Sequence, residues 1–143
     1  MAEPMEPMEP MEPTGPTLES LAKGKYLSLT TYRRDGTAVA TPVWLVRDGD
    51  ALRVITQASS GKVKRIRNNS SVLIASCDSR GRLSSGQVPA VATLQDSAET
   101  MRTSAMITRR YGLLGRLLMW RSARAARRTG EPTAAGISIT MPT

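Results

Sequence analysis

The chain has 143 residues, 20 of them basic and 12 acidic, for a net charge of +8. It contains no histidine and a single cysteine, Cys77, which excludes a Ser-His triad, an imidazole metal site, an internal disulfide and a cysteine zinc site. The length suits one domain with a real core. No apolar run approaches the roughly 20 residues of a membrane span and no signal peptide is visible, so a cytoplasmic protein is the expectation.

Residues 2–13 read Ala-Glu-Pro followed by three Met-Glu-Pro units. Proline at every third position fixes φ and removes donors, so neither helix nor sheet can form. A disordered, partly polyproline-II tail over 1–17 is expected, ahead of one domain over 18–143. The tail holds Glu3, Glu6, Glu9 and Glu12, which leaves all 20 basic but only eight acidic residues beyond it, a charge of +12. Such a body attracts nucleic acid, anionic lipid, or a phosphorylated or polycarboxylate small molecule. Five aromatics (Tyr26, Tyr32, Trp44, Tyr111 and Trp120) and no phenylalanine are too few for stacking on single-stranded nucleic acid, which is disfavoured as a partner.

Leu18, Leu21 and Ala22 have helical spacing and predict a short helix ending near Lys25. Tyr26 to Tyr32 alternates as a strand, and Asp35-Gly36 predicts a hairpin turn. Thr37 to Val46 is the returning strand, with Pro42 inside it. A proline there implies an edge, a bulge or a strand that faces a ligand. Asp48-Gly49 predicts a second turn into a strand over Ala51 to Thr56, giving an antiparallel meander. Ser71 to Cys77, Gln87 to Leu94 and Ala135 to Met141 complete the strands. Short strands with little helix between them indicate a small barrel or sandwich.

Between two of these strands lies the stretch that organises the chain. Ala58, Ser59, Ser60 and Gly61 form a small-residue loop, and Lys62 to Asn68 a basic helix with Val63 and Ile66 on one face. Backbone N–H groups at a helix start, hydroxyls and a lysine together make an anion site, most naturally for phosphate. The same residues also suit a surface loop and a solvated basic turn, and the local pattern does not choose. Further on, Ala98 to Arg110 and Gly112 to Arg128 are helical patterns broken near Tyr111-Gly112. The second sets Leu113, Leu114, Leu117 and Leu118 against a row of arginines. Such a helix either packs on the barrel with its arginines in water or makes peripheral contact with an anionic membrane.

The order Tyr26-Leu-Ser-Leu-Thr-Thr, Arg33-Arg-Asp-Gly, Thr41-Pro-Val-Trp, Ser60-Gly-Lys-Val-Lys-Arg, Cys77-Asp-Ser-Arg-Gly-Arg and Arg110-Tyr-Gly-Leu-Leu-Gly-Arg resembles the deazaflavin-dependent reductases of the pyridoxamine-phosphate-oxidase-like split-barrel superfamily. The resemblance spans about residues 18–141. It implies a mainly β fold, a six-stranded antiparallel split β-barrel with flanking helices. It also implies a homodimer with the cofactor at the subunit interface, and hydride transfer from reduced coenzyme F420, or alternatively FMN, to a small-molecule electron acceptor such as a quinone, enone or tetrapyrrole. A carrier that holds a flavin, haem or lipid without turnover is the other reading of the same fold. In the family the cofactor phosphate lies in a Thr-x-x-x-Ser-x-Lys loop. Here that maps onto Thr56, Ser60 and Lys62, with Ser59, Gly61 and Arg65 beside them. The ring would lie along Thr41, Pro42, Val43 and Trp44, and Arg80 would meet a carboxylate tail. The oxidases carry an arginine and a lysine on the ring strand, whereas Ala40 to Leu45 has no charge, which favours the deazaflavin over FMN.

Overall fold

Two Asp-Gly turns set the first two hairpins. In the computed structural model, which describes residues 16–112 and 134–142, Gly36 and Gly49 both adopt the left-handed conformation, at φ 91° and 63°, that only glycine enters without strain. The first turn joins β1 (Tyr26–Tyr32) to β2 (Ala38–Val43), and the second joins β3 (Leu45–Asp48) to β4 (Ala51–Gln57). After β4 come α2 (Gly61–Asn68), β5 (Ser71–Cys77), β6 (Val88–Leu94), a helix α3 over 97–112, and β7 (Ala134–Thr140). Ahead of β1 lies α1 (Leu18–Lys23). Its first turn is closed by a capping box in which Thr17 Oγ1 accepts from Ser20 N and Ser20 Oγ accepts from Thr17 N.

The expected single strand over Thr37 to Val46 is instead two, β2 and β3, separated by Trp44. The described residues therefore form seven strands and not six, and the meander is interrupted. The sheet order is β2-β1-β5-β6-β7-β4-β3, antiparallel throughout. This order dictates a curled sheet. Seven strands laid flat span about 29 Å at ~4.8 Å per step, yet the two edge strands are joined by one residue, a reach of about 7 Å. The sheet must close on itself until its edges meet at Trp44. β2 and β3 are not hydrogen-bonded to each other, so the barrel is unclosed. Above Trp44, β2 comes into contact with β4 across the seam, because β3 pairs only with the lower part of β4, Ala51 to Val54.

Register sorts the side chains. Leu27, Leu29, Val43, Leu45, Leu52, Val54, Val72, Ile74, Ala90, Ala92, Ile137 and Ile139 alternate inward and form the core, closed at the ends by Leu21 and Ile66. Branched aliphatics do this work because the chain has no phenylalanine. Burying each large one contributes roughly 1.5–3 kcal/mol. α3 covers the outside of β7 and β4. Thr100 Oγ1 accepts from Gly136 N at 3.1 Å, and Thr103 and Ile107 are fully buried. The helix reaches Gly112, whose φ of 65° is the left-handed conformation of a helix end, at the place where the sequence predicts the break. The second helical pattern, its arginine face, and the Met-Glu-Pro repeat lie outside the described residues.

Arg53 fastens α3 to the barrel. Its guanidinium is within 2.8 Å of both Asp48 and Glu99 and donates to Thr103 Oγ1 at 3.1 Å, with its own side chain 11% exposed. The Glu99 carboxyl is held below its ordinary value, first by the hydrogen bond from Arg53. A depressed carboxyl pKa contributes stability that is complete above the unfolded value, near ~4.3, and is lost as pH falls through the folded one. Arg53→Met should cost about 1–3 kcal/mol at neutral pH, the discount reflecting two carboxylates that keep water when the arginine leaves. Denaturant melts at pH 7 and pH 3.5 check this. The wild type loses part of its advantage over the variant at the lower pH.

Candidate functional site

The turn after β4 closes with Ser60 N donating to Gln57 O at 3.0 Å, and Ser60 becomes the N-cap of α2 with extended backbone. An N-cap serine ordinarily uses its hydroxyl to accept from the first-turn N–H groups. Here it makes no such bond, and the buried hydroxyl has no partner among the described residues. The hydroxyl is thus left unused at a helix start whose dipole favours an anion. Val63 and Ile66 bury the opposite face of α2 against the barrel, as their spacing predicts, which holds that start in place.

Two cations converge on it. Arg65 folds back over the first turn. A Cβ built on Gly61 would lie 2.5 Å from its Nη1, so a glycine is needed for this approach. Arg65 Nε donates to Thr31 Oγ1 of β1 at 2.7 Å, which orients the guanidinium. Lys62 is half-buried, and burial, then the charge of Arg65, hold its ammonium below lysine's ordinary value. No carboxylate among the described residues pairs with either side chain. Two like charges, one partly desolvated, beside an orphaned hydroxyl and a helix start are stabilised by a bound anion. Thr56 sits half-buried at the inward face of β4, and Ser59 is exposed in the turn. Thr56, Ser59, Ser60, Gly61, Lys62 and Arg65 thus belong to one strand–turn–helix unit. Thr31 joins it from β1, which sequence reading missed. Its only signal was a polar residue at an inward position of an alternating strand.

The expected ring strand is more divided. Thr41 points inward, opposite Leu29, and its hydroxyl is buried with no partner among the described residues. Pro42 points outward and is exposed, and β2 is an edge strand, where a missing donor is tolerated. Opposite Pro42 lies Ser28, unforeseen, with a third orphaned hydroxyl. The Val43 side chain is 6% exposed in the core opposite Leu27, so a ligand can meet only its backbone. Trp44 stacks on Tyr111, with ring centroids 4.4 Å apart and planes 3° from parallel, so one face of its ring is taken.

The loop after β5 rests on this strand. Asp78 accepts from the N–H groups of Arg80 and Arg82 and from Arg82 Nε, a set of bonds that keeps its carboxyl low. Gly81, at φ 89°, brings the turn close enough that a Cβ there would lie 3.7 Å from Pro42 Cδ. Arg82 is tied to Asp78, whereas Arg80 is exposed, with no side-chain partner among the described residues. The candidate site therefore combines a helix start flanked by Lys62 and Arg65 beside the end of β1, the unpaired edge of β2, and a turn presenting Arg80 beside Pro42. No group of residues that could hold a metal ion occurs among the described residues.

The family model described as pyridoxamine 5'-phosphate oxidase matches residues 17–131. A search of curated proteins finds no match. Among solved structures, the chain is similar to an F420 reductase (20% identity, TM-score 0.59, covering 87% of this chain and 93% of that one). It is also similar to HutZ, the haem storage protein from Vibrio cholerae (15%, 0.61, 83% and 82%), and to General Stress Protein 26 from Bacillus anthracis (17%, 0.53, 86% and 84%). At these identities the likeness establishes a shared fold, and the named proteins do different things.

Proposed function

Because the chain belongs to the pyridoxamine 5'-phosphate oxidase family, we propose that it binds a phosphorylated flavin-type cofactor, and that with the deazaflavin coenzyme F420 it reduces an electron-poor conjugated small molecule. The observation that carries this is the cradle of Ser60, Gly61, Lys62 and Arg65, whose buried Ser60 hydroxyl and two cations have no hydrogen-bonding or carboxylate partner, respectively, among the described residues. A phosphate dianion fits that donor set. Ser60, the α2 N–H groups, Lys62 and Arg65 all donate, and Gly61 lets the Arg65 guanidinium lie against the helix start. When bound in reduced form, the deazaflavin supplies a hydride to a conjugated acceptor of the quinone, enone or tetrapyrrole type. The chain's own part is to hold the phosphate, align the ring along β2 and exclude water. That needs no protein acid or base, which suits a chain without histidine.

The uncharged run Ala40 to Leu45 and the likeness to an F420 reductase favour the deazaflavin over FMN. The likeness to a haem storage protein keeps a carrier without turnover as the second reading. A fluorescence titration with oxidised F420 and, in parallel, FMN separates them. Tight F420 binding followed by acceptor reduction with F420H2 supports the reductase, FMN preference supports an FMN-dependent oxidase or reductase, and binding of neither overturns the cofactor reading.

A second copy of the chain completes the proposal. The outward face of β2 and β6 exposes Ala38, Ala40, Pro42, Pro89 and Val91, with Leu83 nearby. Val91 is 42% and Leu83 49% exposed. This face lies beside Pro42 and Arg80, on the half of the barrel that α3 leaves bare. Val91→Arg should shift the protein from dimer to monomer in light-scattering chromatography. An unchanged mass would remove this face from the interface.

A further inference from the structure

The Arg110-Tyr111 pair belongs to a motif that the cofactor site does not use. Both side chains reach across the seam of the barrel. Arg110 Nη1 donates to Leu45 O at 2.6 Å and Nη2 to Gly24 O at 2.9 Å. The Tyr111 hydroxyl lies 2.7 Å from Lys25 O and 3.0 Å from Leu45 O, and it accepts from Leu45 N at 3.2 Å. Gly24 and Lys25 lead into β1, on the β2 side of the seam. Leu45 begins β3, on the other side. Each side chain thus bridges the two free edges of the sheet, and the Tyr111 ring lies flat on Trp44, the one residue between β2 and β3. Burial raises the Tyr111 phenol above its ordinary value, so it remains a neutral donor and acceptor at neutral pH.

We propose that Arg110 and Tyr111 form a latch that holds the two free edges of the barrel in register about Trp44, and so sets how closely β2 approaches β4. A single joining residue has only two soft dihedrals, and β2 and β3 share no ladder bonds. Besides the latch, the seam is spanned by α1 packed on β3 and β4 and by the contact of β2 with β4, but by no ladder of hydrogen bonds. That the cofactor ring lies along β2 at this seam rests on the proposed function; the latch itself does not. Arg110 and Tyr111 are positioning residues. They touch backbone at the seam, while the anion cradle lies near Thr31, at the other end of β1.

The test uses Tyr111→Phe, which keeps the ring stack, and Arg110→Lys, which keeps the charge but loses the two-carbonyl bridge. Amide exchange is followed without ligand. The latch predicts at least tenfold faster exchange for the β2 amides bonded to β1, with β5–β6 amides unchanged. Faster exchange confined to Leu45 would overturn it. With ligand, F420 and FMN should bind about tenfold more weakly to both variants, while inorganic phosphate, followed at the Gly61 amide, binds as in the wild type. Loosened β2 with unchanged cofactor affinity, in a protein whose Lys62→Ala variant loses binding, would overturn the control of the ring's position. If Lys62→Ala leaves binding intact, the cofactor reading fails, and β2 exchange alone decides the latch.

Discussion

Lys62→Ala lowers the affinity for F420 and for FMN by roughly ten- to a hundredfold. The estimate comes from a charge-assisted hydrogen bond to phosphate, about 1.5–3 kcal/mol, with tenfold for each 1.4 kcal/mol. The same substitution leaves the ligand-free protein as stable as before or more so. Lys62 is half-buried beside Arg65, and both conditions push its pKa down, so folding works against its charge. The sign follows. With a folded pKa below the unfolded one, the unfolded chain binds more protons in the upper lysine range, and stability of the ligand-free wild type rises with pH there. Lys62→Ala removes that rise. Anion binding runs the other way, because phosphate needs the ammonium, so wild-type affinity falls over the same range. Fluorescence titration and thermal melts at pH 7 and pH 10 check both. An affinity within a factor of two of the wild type would remove Lys62 from the phosphate site. Loss of binding together with loss of stability would make Lys62 a structural lysine. Function and stability pull in opposite directions only at a residue placed for a ligand.

Local signals carry most of the strands and the strand–turn–helix unit of the candidate site. β1 and β5 were readable to the residue, because alternation, Asp-Gly turns and flanking polar stretches are all short-range. The cradle was readable for the same reason. A strand, a Ser-Gly turn and a basic helix follow each other in sequence, and each part needs only its neighbours. What the sequence hid is what depends on closure. Nothing in Thr37 to Val46 marks Trp44 as the crossing point from one sheet edge to the other. The residues on both sides alternate correctly for a single strand, and only the pairing of Leu45 with Val54 in place of a β1 residue splits it. Thr31 reaching Arg65 and Tyr111 reaching Leu45 span 34 and 66 residues, beyond any local pattern. Val43, read as part of the ring strand, is turned into the core by the same register that places Thr41 inward.

Leu29→Ala destabilises the protein by about 2–5 kcal/mol. Leu29 is fully buried near the middle of β1, paired with Thr41 of β2 on one side and Ile74 of β5 on the other. The cost is placed in this range, and not below it, by what surrounds the site. The lining is β-branched and aliphatic, and each neighbour is fixed in a strand laddered to the next. No phenylalanine is present to swing into the space, so the cavity persists. Against a typical net stability of roughly 5–15 kcal/mol, the loss exceeds that expected for Arg53→Met and appears as a fall in Tm of about 5–15 °C. The cavity also opens beneath Thr41, on the strand along which the ring is proposed to lie. Saturating cofactor should therefore recover less in this variant than the roughly 2.7 kcal/mol that a ligand at a hundred times its Kd returns to an undistorted site. Thermal melts with and without F420 measure both quantities. A cost under about 1 kcal/mol would mean that the barrel interior is not packed around Leu29. Full recovery by ligand would mean that the ring's position does not depend on the inner face of β2.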